Sequence, residues 1–168
     1  MDDILIVDGY NVIGAWHNLS SLRRKDFENA RDLLIDKLSE YQAQTGWRII
    51  LIFDAYLKPG KETTTRKANV DVIYTKKNEK ADQKIEGLIS KLKNVKTRIH
   101  VATSDMAEQW AVFSQGALRI PSRELINELE KMDQHLEEKT QRKQTFKGGK
   151  IPMDEATRKK LEKMRRGF

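Results

Sequence analysis

The sequence predicts an α/β protein, a three-layer α/β/α sandwich built on a mainly parallel sheet. Three observations carry that prediction. Ile4 to Val7 and Ile49 to Phe53 are short, almost continuous apolar runs, the pattern of strands buried on both faces. Between them Phe27, Ala30, Leu33, Leu34, Leu38 and Tyr41 recur at helical spacing, which makes a β-α-β unit. Strand-like and helix-like segments then alternate through much of the chain, as helices covering both faces of a sheet require.

Taken in order, the first strand ends at Asp8-Gly9, and the first long helix runs from about Asp26 to Gln44, with Gly46 where a helix would stop. The second strand ends at Asp54. Tyr56 to Lys67 is long, polar and charged, holds Pro59-Gly60 and three threonines in a row, and reads as an exposed loop beside the functional edge. Val70, Val72 and Tyr74 alternate as a strand does, and Ile85, Leu88, Ile89 and Leu92 give Ala81 to Leu92 an amphipathic stripe. Ile99 to Ala102 is a strand, Met106 to Ser114 a helix, and Ala117 to Ile120 a short strand. Pro121-Ser122 opens a long helix to about Lys143, with Ser122 as its cap and Leu125, Leu129, Met132 and Leu136 as its stripe. Gly148-Gly149 marks a hinge between Lys147 and Pro152, followed by a basic helix from about Asp154 to Arg165.

A chain of 168 residues that is 38% hydrophobic and 34% charged suffices for one domain with its own core and a short appendage. Residues 1–146 are assigned to that domain and 147–168 to a basic tail. Wholesale disorder is excluded by the patterned apolar segments. No apolar run approaches the roughly 18 to 20 residues that cross a bilayer, and the acidic start Met1-Asp2-Asp3 is unlike a signal peptide. A cytoplasmic location without membrane contact is the expectation. With no cysteine, thiolate metal sites and thiol nucleophiles are excluded, and His17, His100 and His135 lack metal-ligand spacing. The net charge of +7 is concentrated: residues 139–168 hold eleven Lys or Arg against three acids, +8, which leaves −1 for residues 1–138. A neutral body with a basic tail suits a polyanionic partner, nucleic acid first, although a merely solvated helix would have the same composition.

In an open α/β sheet, ligands bind outside the carboxyl ends of the strands. Asp8 and Asp54 close the first two strands, and Asp105 follows the Ile99 strand. Asp82 lies in the first turn of a helix that leaves its strand at the same edge. Two like charges 4 Å apart repel by about 4 kcal/mol at an effective dielectric near 20, and a divalent cation relieves such a cluster. Oxygen donors without His or Cys favour Mg²⁺, with Mn²⁺ as the alternative. That combination suits phosphodiester hydrolysis, in which metal activates water and stabilises the leaving oxygen. Each acid also has a structural reading: Asp8 in a tight turn, Asp54 in an Asx-turn, Asp82 against a helix dipole, Ser104 or Asp105 as a cap. Asn11 suits either orienting Asp8 or a phosphate, or holding its own loop. No G-x-x-x-x-G-K-[ST], G-x-G-x-x-G or G-x-S-x-G motif is present.

Ile6-Val7-Asp8-Gly9-Tyr10-Asn11-Val12-Ile13, Phe53-Asp54-Ala55, Ala81-Asp82-Gln83-Lys84-Ile85-Glu86 and Val101-Ala102-Thr103-Ser104-Asp105 together resemble the YacP-like branch of the NYN-domain, PIN-like ribonucleases, over roughly residues 3 to 145. The resemblance implies a PIN-like fold and a metal-dependent endoribonuclease of bacterial mRNA decay linked to the ribosome. By motif position it implies metal or catalytic roles for Asp8, Asp82 and Asp105, with Asn11, Asp54 and Ser104 supporting them.

RNA must be delivered past these acids, so positive groups should flank them. Arg66, Lys67, Lys76, Lys77 and Lys80 fall in loops expected near the edge, with Lys58 and Lys61 in the long loop. Tyr10, Tyr56 and Trp16 are candidates to stack on unpaired bases, against core packing for Trp16, and Trp47 and Trp110 are expected to be partly buried. The leading expectation is an endoribonuclease acting on mRNA with the ribosome or its RNA as partner. A catalytically silent RNA- or ribosome-binding factor is the main rival, and a metal-dependent phosphatase the third. The latter is disfavoured by Tyr10, which stands where an aspartyl-nucleophile phosphatase usually has a second Asp.

Overall fold

The computed structural model describes residues 2–23, 26–55 and 62–147. Two compact units divide the chain, Met1–Met132 and Asp133–Phe168. The first carries β1 (Asp2–Asp8), α1 (Gly9–Ala15), α2 (His17–Arg23), α3 (Phe27–Thr45), β2 (Arg48–Phe53), β3 (Thr63–Lys67), β4 (Val70–Tyr74), α4 (Ala81–Leu92), β5 (Thr97–Ala102), α5 (Met106–Ser114) and β6 (Leu118–Ile120). The last helix, α6, spans Ser122–Lys147. The expected basic helix and the glycine hinge from Gly148 onward lie outside the described residues, as do Tyr56, Lys58 and Lys61.

The six strands run in the order β3-β4-β2-β1-β5-β6, all parallel except β3. Alternate side chains of the central strands feed two cores, as strands covered on both faces must. Leu5, Val7, Leu51 and Phe53 pack with Leu34 and Leu38 of α3 and with Leu125 and Leu129 of α6. Ile4, Ile6, Ile50 and Ile52 pack with Ile85 and Ile89 of α4 and Val112 of α5. The three-layer α/β/α sandwich is thus the fold.

Helix α3 has the ends its sequence predicts. The Asp26 carboxylate accepts from the Asn29 amide at 3.1 Å, and Gly46 stops the helix in the left-handed region at φ 71°. Other expectations are corrected. Thr63–Lys67 is not loop but the antiparallel edge strand β3, joined to β4 by Ala68 and Asn69 at φ 50° and 66°. Two consecutive positive φ values make the tight turn that matches strand twist, here without the usual glycine. Trp16 is buried in the core among Val12, Ile13 and Leu34, so it is no base-stacking residue. Tyr10 packs its ring on Phe27 and Phe53. Ser122 does not cap α6 from outside: it is the first helical residue, and its buried hydroxyl donates to Asn11.

Candidate active site

The site follows from the strand order. From β1 the chain builds β2 and β4 on one side, then crosses back to place β5 on the other. The carboxyl ends of β1 and β5 therefore flank a switch point, where an open α/β sheet leaves a crevice. Asp8 is the last residue of β1, and Asp105 follows β5 as the N-cap of α5. Helix α1 starts directly at the next residue because that residue is Gly9: a Cβ there would collide with the Phe53 ring and stand 2.9 Å from the Ile52 carbonyl oxygen.

Two polar side chains set the geometry. Buried Thr103 donates its hydroxyl to Asp8 Oδ2 at 3.3 Å and accepts the Asp105 amide at 3.2 Å. One hydroxyl thus ties the two acids to a common reference. Asn11 Oδ1 accepts from the Ser104 amide at 2.7 Å and the Ser122 hydroxyl at 2.8 Å, so it clamps the β5–α5 loop to α1 and α6. Its backbone amide also supports the Asp8 carboxylate. Asn11 positions the site, and Ser104 contributes its backbone rather than a cap. On the neighbouring side, buried Thr75 accepts the Ala55 amide and donates to the Glu79 carbonyl, both at 2.8 Å. That joins the loop after Asp54 to the loop that leads to Asp82.

The acids act on one another. Burial pushes Asp8 up to about 6, and the charges of Asp82 and Asp105 push the same way against the Thr103 hydrogen bond. Three acids far apart in sequence therefore share one electrostatic environment. The sequence reading missed a fourth and a fifth. Glu108, on α5, is only 4% exposed and is pushed up to about 8 by burial and then by Glu86, Asp82, Asp8 and Asp105. Its Oε1 is buried with no hydrogen-bond partner among the described residues. The signal was available: Glu108 lies three residues after Asp105 and Glu86 four after Asp82, the spacings that share a helix face. Asp54 follows β2 half-exposed, and the acids that bear most on Asp8 are Asp82 and Asp105 instead.

Among the described residues no three acid or imidazole side chains are already gathered as a direct chelate. Asp105 Oδ1 accepts the Ala107 and Glu108 amides and Asp82 Oδ1 the Gln83 amide, so the structural roles of these acids are real. Mg²⁺ keeps several waters and takes few carboxylates directly. An all-oxygen crevice with mutually repelling acids and the unpartnered buried Glu108 Oε1 suits such a hydrated hard cation.

The cations divide. Lys76 and Lys77 are exposed on the β4–α4 loop and Lys80 is the N-cap of α4, at the edge where Asp82 lies. Arg66 and Lys67 are elsewhere, because β3 runs antiparallel and brings them opposite Asp71 and Val70, at the start of β4. Four residues at about 3.3 Å each carry them away from the carboxyl edge. There Arg66 pairs with Asp71 at 3.6 Å, and Lys67 reaches Asp32 at 3.5 Å. No helix among the described residues is long and apolar enough to cross a membrane.

Comparison with known proteins places these motifs in a lineage. The YacP-like NYN domain matches residues 5–166. The uncharacterized protein YacP of Bacillus subtilis (strain 168) is 51% identical over 166 residues, 98% of each chain. The crystal structure of Rae1 (YacP) from Bacillus subtilis superimposes with a TM-score of 0.75 at 50% identity, covering 99% of this chain and 96% of that one. A point mutant of Rae1 gives the same TM-score over 86% of this chain and 85% of its own.

Proposed function

The chain belongs to the YacP-like NYN-domain family, a nuclease-like family, and from that premise we propose that it is a divalent-metal-dependent endoribonuclease cutting mRNA in association with the ribosome. One observation carries the reading: Asp8, Asp82 and Asp105 converge electrostatically at the switch-point crevice. Asp8, Asp82 and Asp105 would hold Mg²⁺, or Mn²⁺ in its place. Such an ion, when bound, activates the attacking water and stabilises charge on the phosphoryl oxygens. The chain's own part is positional. Thr103 fixes Asp8 relative to Asp105, Asn11 holds the loop between them, and Lys76, Lys77 and Lys80 offer positive charge to the backbone that must approach these acids. The ribosome as partner rests on the family resemblance and on the basic segment after residue 138.

A silent RNA- or ribosome-binding factor is favoured by a different observation, the engagement of Asp82 and Asp105 with backbone amides. The two readings separate in one assay. Purified protein is incubated with mRNA, alone and on translating ribosomes, in Mg²⁺ and in chelator. We expect internal cleavage that chelator abolishes and Mn²⁺ restores. RNA left intact in every arm, with binding retained, would instead establish the silent factor.

A further inference from the structure

Helix α5 wears its polarity inside out. Glu108 and Gln109 are buried beside Val112, while Met106, Trp110 and Phe113 are 60%, 59% and 54% exposed. These three stand at i, i+4 and i+7 and so form one outward stripe. Isolated exposed apolar residues are ordinary, but an aromatic stripe opposite a buried acid is not what solvent alone selects. Trp110 and Phe113 meet edge to face, with ring centres 6.4 Å apart. Arg119, in register with Val101 on the adjacent edge strand β6, lays its guanidinium 5.2 Å from the Trp110 ring and 5.7 Å from Phe113. The Lys93 ammonium lies beside Gly116 in the turn that joins α5 to β6.

We propose that Trp110 and Phe113, with Arg119 over them, form a stacking platform for unpaired RNA bases outside the carboxylate crevice. The proposal rests on the nuclease reading for its ligand. Aromatic faces beside cations are the chemistry of single-strand binding: rings stack on bases, and guanidinium and ammonium groups neutralise the phosphates between them. The three apolar side chains expose roughly 300 to 400 Å² together, the size of apolar patch that is often functional on a protein surface. The platform also continues from the site. Asp105 caps α5, and at about 1.5 Å per residue Trp110 lies roughly 7 Å along the helix from it. That is about two stacked nucleotides at 3.4 Å each.

The test is equilibrium binding of a single-stranded oligoribonucleotide to the full-length protein in chelator, where no cleavage interferes, with the annealed duplex as control. Trp110→Leu should weaken single-strand binding about tenfold and leave duplex binding unchanged. Trp110→Phe should keep most of the affinity. Arg119→Gln should lower the slope of log affinity against log salt by about one. Equal affinity of Trp110→Leu and wild type, or no binding by wild type, overturns the platform. So does loss of ribosome association or of self-association with oligoribonucleotide binding intact, which would assign the stripe to a protein contact. Cleavage by wild type with unchanged Trp110→Leu binding would remove the platform and spare the nuclease. A tenfold loss in a protein that cuts nothing would keep the platform and remove the enzyme.

Discussion

Asp82→Asn is expected to lower the rate of RNA cleavage about a thousandfold while leaving the protein at least as stable as wild type. The two effects have one cause. Asp82 raises the proton affinity of both Asp8 and Glu108, so its charge is a burden on the metal-free fold and useful only when a cation offsets it. The asparagine is nearly isosteric and keeps an oxygen for the Gln83 amide that Asp82 Oδ1 now accepts at 2.9 Å. The cost of losing one acid from the first turn of α4 is about 0.3–1 kcal/mol. Losing a metal ligand removes several kcal/mol of transition-state stabilisation, at 1.36 kcal/mol per tenfold in rate. Single-turnover cleavage in Mg²⁺ and thermal unfolding in chelator measure the two quantities. Cleavage within a few fold of wild type, or a clear loss of stability, would make Asp82 a structural residue.

The second large effect concerns Glu108 and pH. Its folded-state pKa is raised from 4.5 to about 8, so the folded protein holds that proton more tightly than the unfolded chain does. The associated stability is fully present below about 4.5 and is lost as pH rises through about 8. Asp8, raised from 3.8 to about 6, adds a loss of the same sign over a lower window. Without metal, the protein should therefore lose stability from about pH 4 to about pH 8, on the order of 2 kcal/mol after allowance for solvent screening at the crevice mouth. Glu108→Gln should flatten that decline and be more stable than wild type at the upper end. Mg²⁺ should stabilise wild type most where the acids are ionised. Denaturant unfolding across this range, with and without chelator, reads both. A wild-type stability that rises over the range would show that these acids do not repel one another in the fold.

Much of this was legible because it is local or periodic. The β1 and β2 runs fit strands buried on both faces, Asp26 and Gly46 bracket α3, and a β-to-α connection returns every helix start to the carboxyl edge. That rule alone brings Asp8, Asp82 and Asp105 together. Tertiary effects were not legible. Thr63–Lys67 is polar on both faces because β3 is an edge strand, so no alternation betrays it. Helix α1 follows β1 without a loop, which Gly9 permits by letting backbone approach Phe53. Glu108 looks like any helix-surface acid until α5 turns it inward. Trp110, expected to be partly buried, is turned out by the same rotation. Arg66 and Lys67 were placed by their neighbours in sequence, whereas the reversal of β3 carries them away from the carboxyl edge.

Anomalous diffraction from crystals soaked in Mn²⁺ tests the metal crevice most directly. We predict a single-ion or two-ion peak between Asp8, Asp82 and Asp105, with Glu108 turned toward it or toward its waters, that vanishes in Asp82→Asn. Saturating Mn²⁺ with no peak there, or a peak that survives the substitution unchanged, would contradict a cation held by these acids.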